Sequence, residues 1–159
     1  MPMKAWRLGV GLVFLFAGFS ALICFGQTAD APLVRFETRT LGDPRFDMEA
    51  NELSRTANTS LIQVIHRKGG PTGSAMLTVE GFYLVSKARQ AEYFIILQDR
   101  SGPDGSRLYT VGFTNTKNAD IKATFGSDYG DTDEAGIKRR YLSVAEYAAI
   151  FEKAPKKPE

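Results

Sequence analysis

The sequence predicts an α+β fold: a single small domain in which an antiparallel sheet of about four or five strands carries two or three helices packed on one face. Three observations lead there. Short segments alternate apolar and polar residues, as Val34, Phe36 and Thr38 do against Arg35, Glu37 and Arg39, and as Tyr109, Val111 and Phe113 do against Thr110 and Thr114. Longer segments repeat at helical spacing, and the last of them opens on a capping box, Ser143-Val144-Ala145-Glu146. Turn formers punctuate the strand-like runs, most densely in Ser101-Gly102-Pro103-Asp104-Gly105-Ser106.

Taken in order, Leu33–Thr40 reads as a half-exposed strand. Asp43 followed by Pro44 is a helix-start signal, and Phe46, Ala50, Leu53 and Ala57 then fall on one helical face, so a helix is expected to end near Asn58. Ser60–Arg67, rich in Leu, Ile and Val, is a strand, and Lys68–Gly73 breaks it. Ser74 can cap a second helix running to about Ala91, whose apolar residues (Met76, Leu77, Val79, Phe82, Leu84, Val85, Ala88) suit burial against a sheet, with Gly81 its weak position. Tyr93–Arg100 and Arg107–Asn115 are strands, and Ile121, Ala123 and Phe125 alternate with Lys122 and Thr124 as a further strand would. In the last helix, Leu142 and Tyr147 are spaced for a hydrophobic staple, and Val144, Tyr147, Ala148 and Phe151 form a stripe that docks on the core.

The first 26 residues carry an address. Lys4 and Arg7 precede an uncharged apolar run from Leu8 to Phe25, and small residues follow (Gly26, Ala29, Ala31). That is the layout of a secretory signal peptide, with cleavage after Gly26 or near Ala29. The run also reaches the length that spans a bilayer, so a retained anchor formed by residues 8–25 competes with cleavage. Lipidation of Cys24 is a third reading, weakened by Ile23 where a small residue should stand. Under all three, residues 27–154 form an exported domain, periplasmic or secreted, and 155–159 a loose tail.

Charge and cysteine content exclude several functions. Lys4 and Arg7 account for the whole net charge of +2, since 20 Lys and Arg stand against 18 Asp and Glu and every acid lies downstream of the leader. A neutral domain is unsuited to general nucleic-acid binding and to electrostatic docking on anionic lipid, which leaves membrane contact only through an uncleaved N-terminal segment. Cys24 is the only cysteine, so the exported domain has no disulfide, thiol nucleophile or thiolate metal site.

The acidic stretch from Asp128 to Gly136 invites comparison with a calcium loop. Aligned from Asp131 as an EF-hand, it matches at Asp131, Asp133 and Gly136 but has Ala135 at position five and Leu142 where the bidentate acid belongs. The expectation is therefore no metal, with Asp128, Asp131 and Asp133 the residues that would hold one, and a solvated loop balanced by Lys138, Arg139 and Arg140. His66, the only histidine, sits at a strand end beside Arg67 and Lys68, as a surface or capping residue does. Glu80, Glu92 and Asp99 are carboxylates that a hydrolase could converge. Gly69–Ser74 precedes a helix but lacks the Gly-Lys-Ser/Thr ending of a phosphate loop. No cofactor and no catalytic residue are expected.

Three function classes follow. The leading one is a small non-catalytic protein that contacts another envelope or surface protein, marked by an exposed apolar patch or an open sheet edge. The second is a small-ligand carrier, marked by a cavity under the second helix lined by Phe82, Tyr93 or Phe113. The third is a carboxylate-dependent hydrolase, marked by two acids meeting in a cleft.

Overall fold

The alternating segments become one sheet. In the computed structural model, which describes residues 32–38 and 45–152, the chain forms β1 (Arg35–Glu37), β2 (Asp47–Arg55), β3 (Thr59–Lys68), α1 (Pro71–Ala88), β4 (Tyr93–Ser101), β5 (Arg107–Thr114), α2 (Ile121–Phe125), β6 (Leu142–Ser143) and α3 (Val144–Phe151). Six antiparallel strands lie in the order β1-β2-β3-β5-β4-β6 and curl as a half-barrel. The strand count is higher than the sequence predicts. The expected leader (residues 1–26), the Asp43-Pro44 pair and the expected tail (155–159) lie outside the described residues.

Two strands, β2 and β6, stand where the sequence predicts none, and β2 corrects the helix expected to end near Asn58. Its backbone is paired on both sides, by β1 and by β3. Met48, Ala50 and Glu52 turn inward at a period of two and are buried. Tertiary pairing here overrides a composition of Ala, Glu and Leu that favours a helix.

α1 also starts earlier than expected. Gly70 is its N-cap, without a side-chain cap, and Pro71 occupies the first turn, where proline's preset φ is favourable. Ser74 is thus a helical residue whose carbonyl accepts the Thr78 hydroxyl at 2.8 Å. Gly81 has a packing reason: a Cβ there would stand 2.8 Å from the Ala50 Cβ, so only glycine lets α1 lie so close to β2. Phe36, Met48, Ala50, Ile62, Val64, Phe82, Val85, Phe94, Val111 and Phe113 form the main core beneath the helix. α3 closes it at the other side, with Tyr147 5.7 Å from Phe94 and Phe151 5.5 Å from Tyr83 between ring centroids. The predicted cap is present, Ser143 Oγ accepting from the Glu146 N–H at 3.4 Å.

The segment Ile121–Phe125 is a one-turn helix and not a strand. Asp120 Oδ1 accepts the Ala123 N–H at 2.7 Å, and that local cap offers the backbone an alternative to a ladder. Ile121 and Phe125, one helical turn apart, then reach Ile95 and Leu97 on the sheet face away from α1. Phe125 covers Gly112, where a Cβ would stand 2.7 Å from its ring. The helices therefore occupy both faces of the sheet, α1 and α3 on one and α2 on the other, where the sequence reading places them all on one.

A buried polar network ties the chain entry to the β2–β3 hairpin and to α1. Glu52 accepts from Arg55 at 2.8 and 2.5 Å, from the Ser60 hydroxyl at 2.6 Å and from the Val34 N–H at 3.0 Å. Arg89, the C-cap of α1, donates to Ser60 Oγ at 3.1 Å and to the carbonyls of Thr56 and Ala57 at 2.9 and 2.7 Å. Its guanidinium also lies 4.7 Å from the Phe113 ring centroid and at the negative end of the helix dipole.

Candidate functional site

β6 covers only the first part of β4. It pairs Ser143 with Tyr93 and Leu142 with Phe94, and Val144 N–H donates to the Glu92 carbonyl at 2.9 Å. From Ile95 to Ser101, no strand among the described residues pairs with the outer edge of β4.

The register shows which backbone groups that edge presents. Phe113 N–H bonds the Asn58 carbonyl on the β3 side, so odd residues of β5 turn to β3 and even ones turn to β4. The β4 partners of those even residues are Ile95, Gln98 and Arg100, and they bond inward. A bulge between Ile96 and Gln98 shifts the phase at Leu97. Ile96, Asp99 and Ser101 are thereby left with their backbone groups aimed outward.

The acidic stretch stands beside this edge as a hairpin. Thr132 bridges Lys138, Asp133 N–H donates to the Ile137 carbonyl at 2.9 Å, and Arg139 N–H donates to the Asp131 carbonyl at 2.8 Å. Gly136 supplies the left-handed turn residue at φ 77°. Asp133 Oδ1 accepts the N–H groups of Ala135 and Ile137 at 2.9 and 2.8 Å.

Arg139 anchors the hairpin. Its guanidinium donates to the carbonyls of Gly130 and Thr132 and, through Nη2, to the Leu97 carbonyl at 2.7 Å. A fixed internal cation thus occupies the carbonyl-lined position in this loop. Asp128 and Asp131 remain exposed and Asp133 is spent on its own turn. Among the described residues, no three His, Cys, Asp or Glu side chains are grouped to hold a metal ion.

Between the hairpin and the β4 edge runs a groove of about 510 Å³, lined by Ile96, Leu97, Asp99, Ile137, Arg140 and Leu142 among others. Ile137, near the hairpin tip, is 65% exposed, an unusual state for a large apolar side chain set over a groove. Asp99 is engaged by Arg107, which donates to both its oxygens at 2.9 and 2.5 Å.

The other candidate residues are dispersed. Glu92 is exposed at the start of β4, seven residues from Asp99, a span of roughly 23 Å at strand rise. Glu80 is half-buried on α1, where burial raises its carboxyl pKa above the ordinary value. His66 Nε2 lies 3.3 Å from the Thr78 hydroxyl, and burial holds the imidazole below its ordinary pKa. Phe82 and Phe113 are packed within the core, and Tyr93 is half-buried and pairs with Thr114 on the face away from α1. The turn chemistry from Gly130 to Gly136 could have signalled the hairpin. Nothing in the pattern of residues pointed to Arg139 as its anchor.

The fold and this edge define a small α+β domain in which, among the described residues, no strand pairs with the outer edge of β4 beyond Phe94. Compared with protein-family models, curated proteins and solved structures, the chain matches none.

Proposed function

We propose that this is an exported, non-catalytic interaction protein that receives an extended segment of another envelope or surface protein along the outer edge of β4. One observation carries the reading: outward-aimed backbone groups at Ile96, Asp99 and Ser101 run beside a groove topped by the exposed Ile137. Added strands bind in this way, main-chain hydrogen bonds supplying affinity and flanking pockets supplying selectivity. The signal-like layout of residues 1–26 supports a partner outside the cytoplasm.

The test is photo-crosslinking in cells from a reactive residue placed at Ile137, with exposed Ala75 on α1 as the control position. A discrete envelope-protein adduct from 137 alone is the expected result. Equal adducts from both positions, or none from 137, reject the edge as the contact. Recovery of the chain in the cytoplasmic fraction rejects its export.

A further inference from the structure

Resting on that reading, we propose that Arg139 is the spacer that keeps the β4 edge open. Without it, β6 would zip further along β4 and close the groove to an incoming segment. The register carries the argument. β6 pairs Ser143 with Tyr93 and Leu142 with Phe94. Continued without a shift, that pairing sets Tyr141 opposite Ile95, Arg140 opposite Ile96 and Arg139 opposite Leu97. The chain keeps to this line. Tyr141 packs in the same cluster as Ile95, and the Arg139 guanidinium meets the Leu97 carbonyl at 2.7 Å.

After Leu142 the two segments part although they stay in register. The next pair to close is Ile96 with Arg140. Val144 N–H bonds the Glu92 carbonyl, so even residues of β4 turn toward β6 as far as the bulge. Ile96 and Arg140 would therefore exchange both of their backbone bonds. Among the described residues, no backbone bond joins Arg140 to β4. A side-chain donor from Arg139 stands at the following carbonyl instead, and the groove opens with Ile96 and Arg140 in its lining. The guanidinium keeps this place although its Nε is buried there without a hydrogen-bond partner, which is a local cost. Unpaired edge groups beside a chain already in register are a template for pairing, and the arginine holds the two apart.

The experiment uses the full-length chain carrying Arg139→Met, and carrying Arg139→Met with Arg140→Pro, where residue 140 has no N–H to give Ile96. Each is read twice, by amide hydrogen exchange at Ile96 and by the adduct from a photo-reactive residue at 137. In Arg139→Met the Ile96 amide should gain protection by about tenfold, and the adduct should fall about as far. In the double variant the added protection should vanish and the adduct return. Unchanged exchange at Ile96 in Arg139→Met overturns the spacer, and so does an adduct that survives while Ile96 is protected. An adduct still lost in the double variant overturns it as well, because a loosened hairpin then accounts for the loss. No adduct from 137 in the otherwise unsubstituted chain rejects the edge as the contact, even where Ile96 responds as expected.

Discussion

Arg89 Nη1 stands 3.9 Å from Glu52 Oε1, and neither side chain is exposed to solvent at all. Burial alone depresses the Arg89 pKa most, with repulsion from Arg55 adding to it, and brings it to about 10, so the guanidinium is still charged at neutral pH. Its Nη1 and Nη2 donate to Ser60 and to the Thr56 and Ala57 carbonyls, while Nε is buried without a hydrogen-bond partner. Removing one member of such a network leaves the others buried without partners, which costs about 3–5 kcal/mol. Arg89→Ala should therefore lower the unfolding free energy by about that amount in urea titration. A loss below about 1 kcal/mol would show that the hairpin and α1 are held together by other contacts.

Acid should unfold the protein through two carboxylates in particular. Hydrogen bonds from Arg67 first, and Asn51 next, hold Glu49 below the ordinary value of 4.5. For Glu52 burial is the largest influence and pushes upward, but hydrogen bonds from Arg55, Ser60 and Val34 together outweigh it, and the pKa ends lowered from 4.5. A carboxyl depressed in the folded state contributes stability fully above its unfolded pKa and loses it as pH falls through the folded one, because the unfolded chain takes up protons first. The urea midpoint should stay level down to about pH 5 and fall below it. Glu52→Gln should begin from a lower midpoint at neutral pH and lose less on acidification. A midpoint that holds steady through the acid range excludes this account.

Gly81 and Ala50 form a contact that a melting experiment can isolate. In an ordinary helix Gly→Ala gains roughly 1 kcal/mol. Here the new Cβ would stand 2.8 Å from the Ala50 Cβ, and α1 would have to lift off β2. Gly81→Ala is expected to destabilise the protein, and Ala50→Gly in the same chain to restore part of the loss. Additive effects of the two substitutions would show that the helix is not limited by this approach.

What was legible in the sequence divides along physical lines. β3 combines strand-forming residues with period-two burial, and β4 and β5 are strand-forming runs covered on both faces, so residue type and environment agree. β2 misleads because its inward set is Met48, Ala50 and the charged Glu52. A carboxylate counts as outward until Arg55 and Ser60 are seen to satisfy it, and those partners come from the hairpin itself. In α2 five residues are too few for a period to decide, and the Asp120 cap settles the matter. The acidic stretch is readable as a loop, but its role at a sheet edge depends on strand order. That order places β5 between β3 and β4, and no local pattern encodes it.

Arg139 makes the last prediction, about the hairpin and calcium together. The guanidinium fills the position facing the Gly130 and Thr132 carbonyls and pins the loop to Leu97. Millimolar calcium or EDTA should therefore leave the melting temperature unchanged, whereas a bound ion would raise it by linkage. Arg139→Met removes the pin while keeping much of the stem. Hydrogen-exchange protection of the Asp133 and Arg139 amides, which close the hairpin on Ile137 and Asp131, should then drop by at least about tenfold. Protection at Ile62, Val64 and Val111 in the main core should change far less. If the hairpin amides keep their protection in Arg139→Met, the turn formed by Asp133 and Gly136 is sufficient by itself. The groove wall would then not depend on the β4 edge.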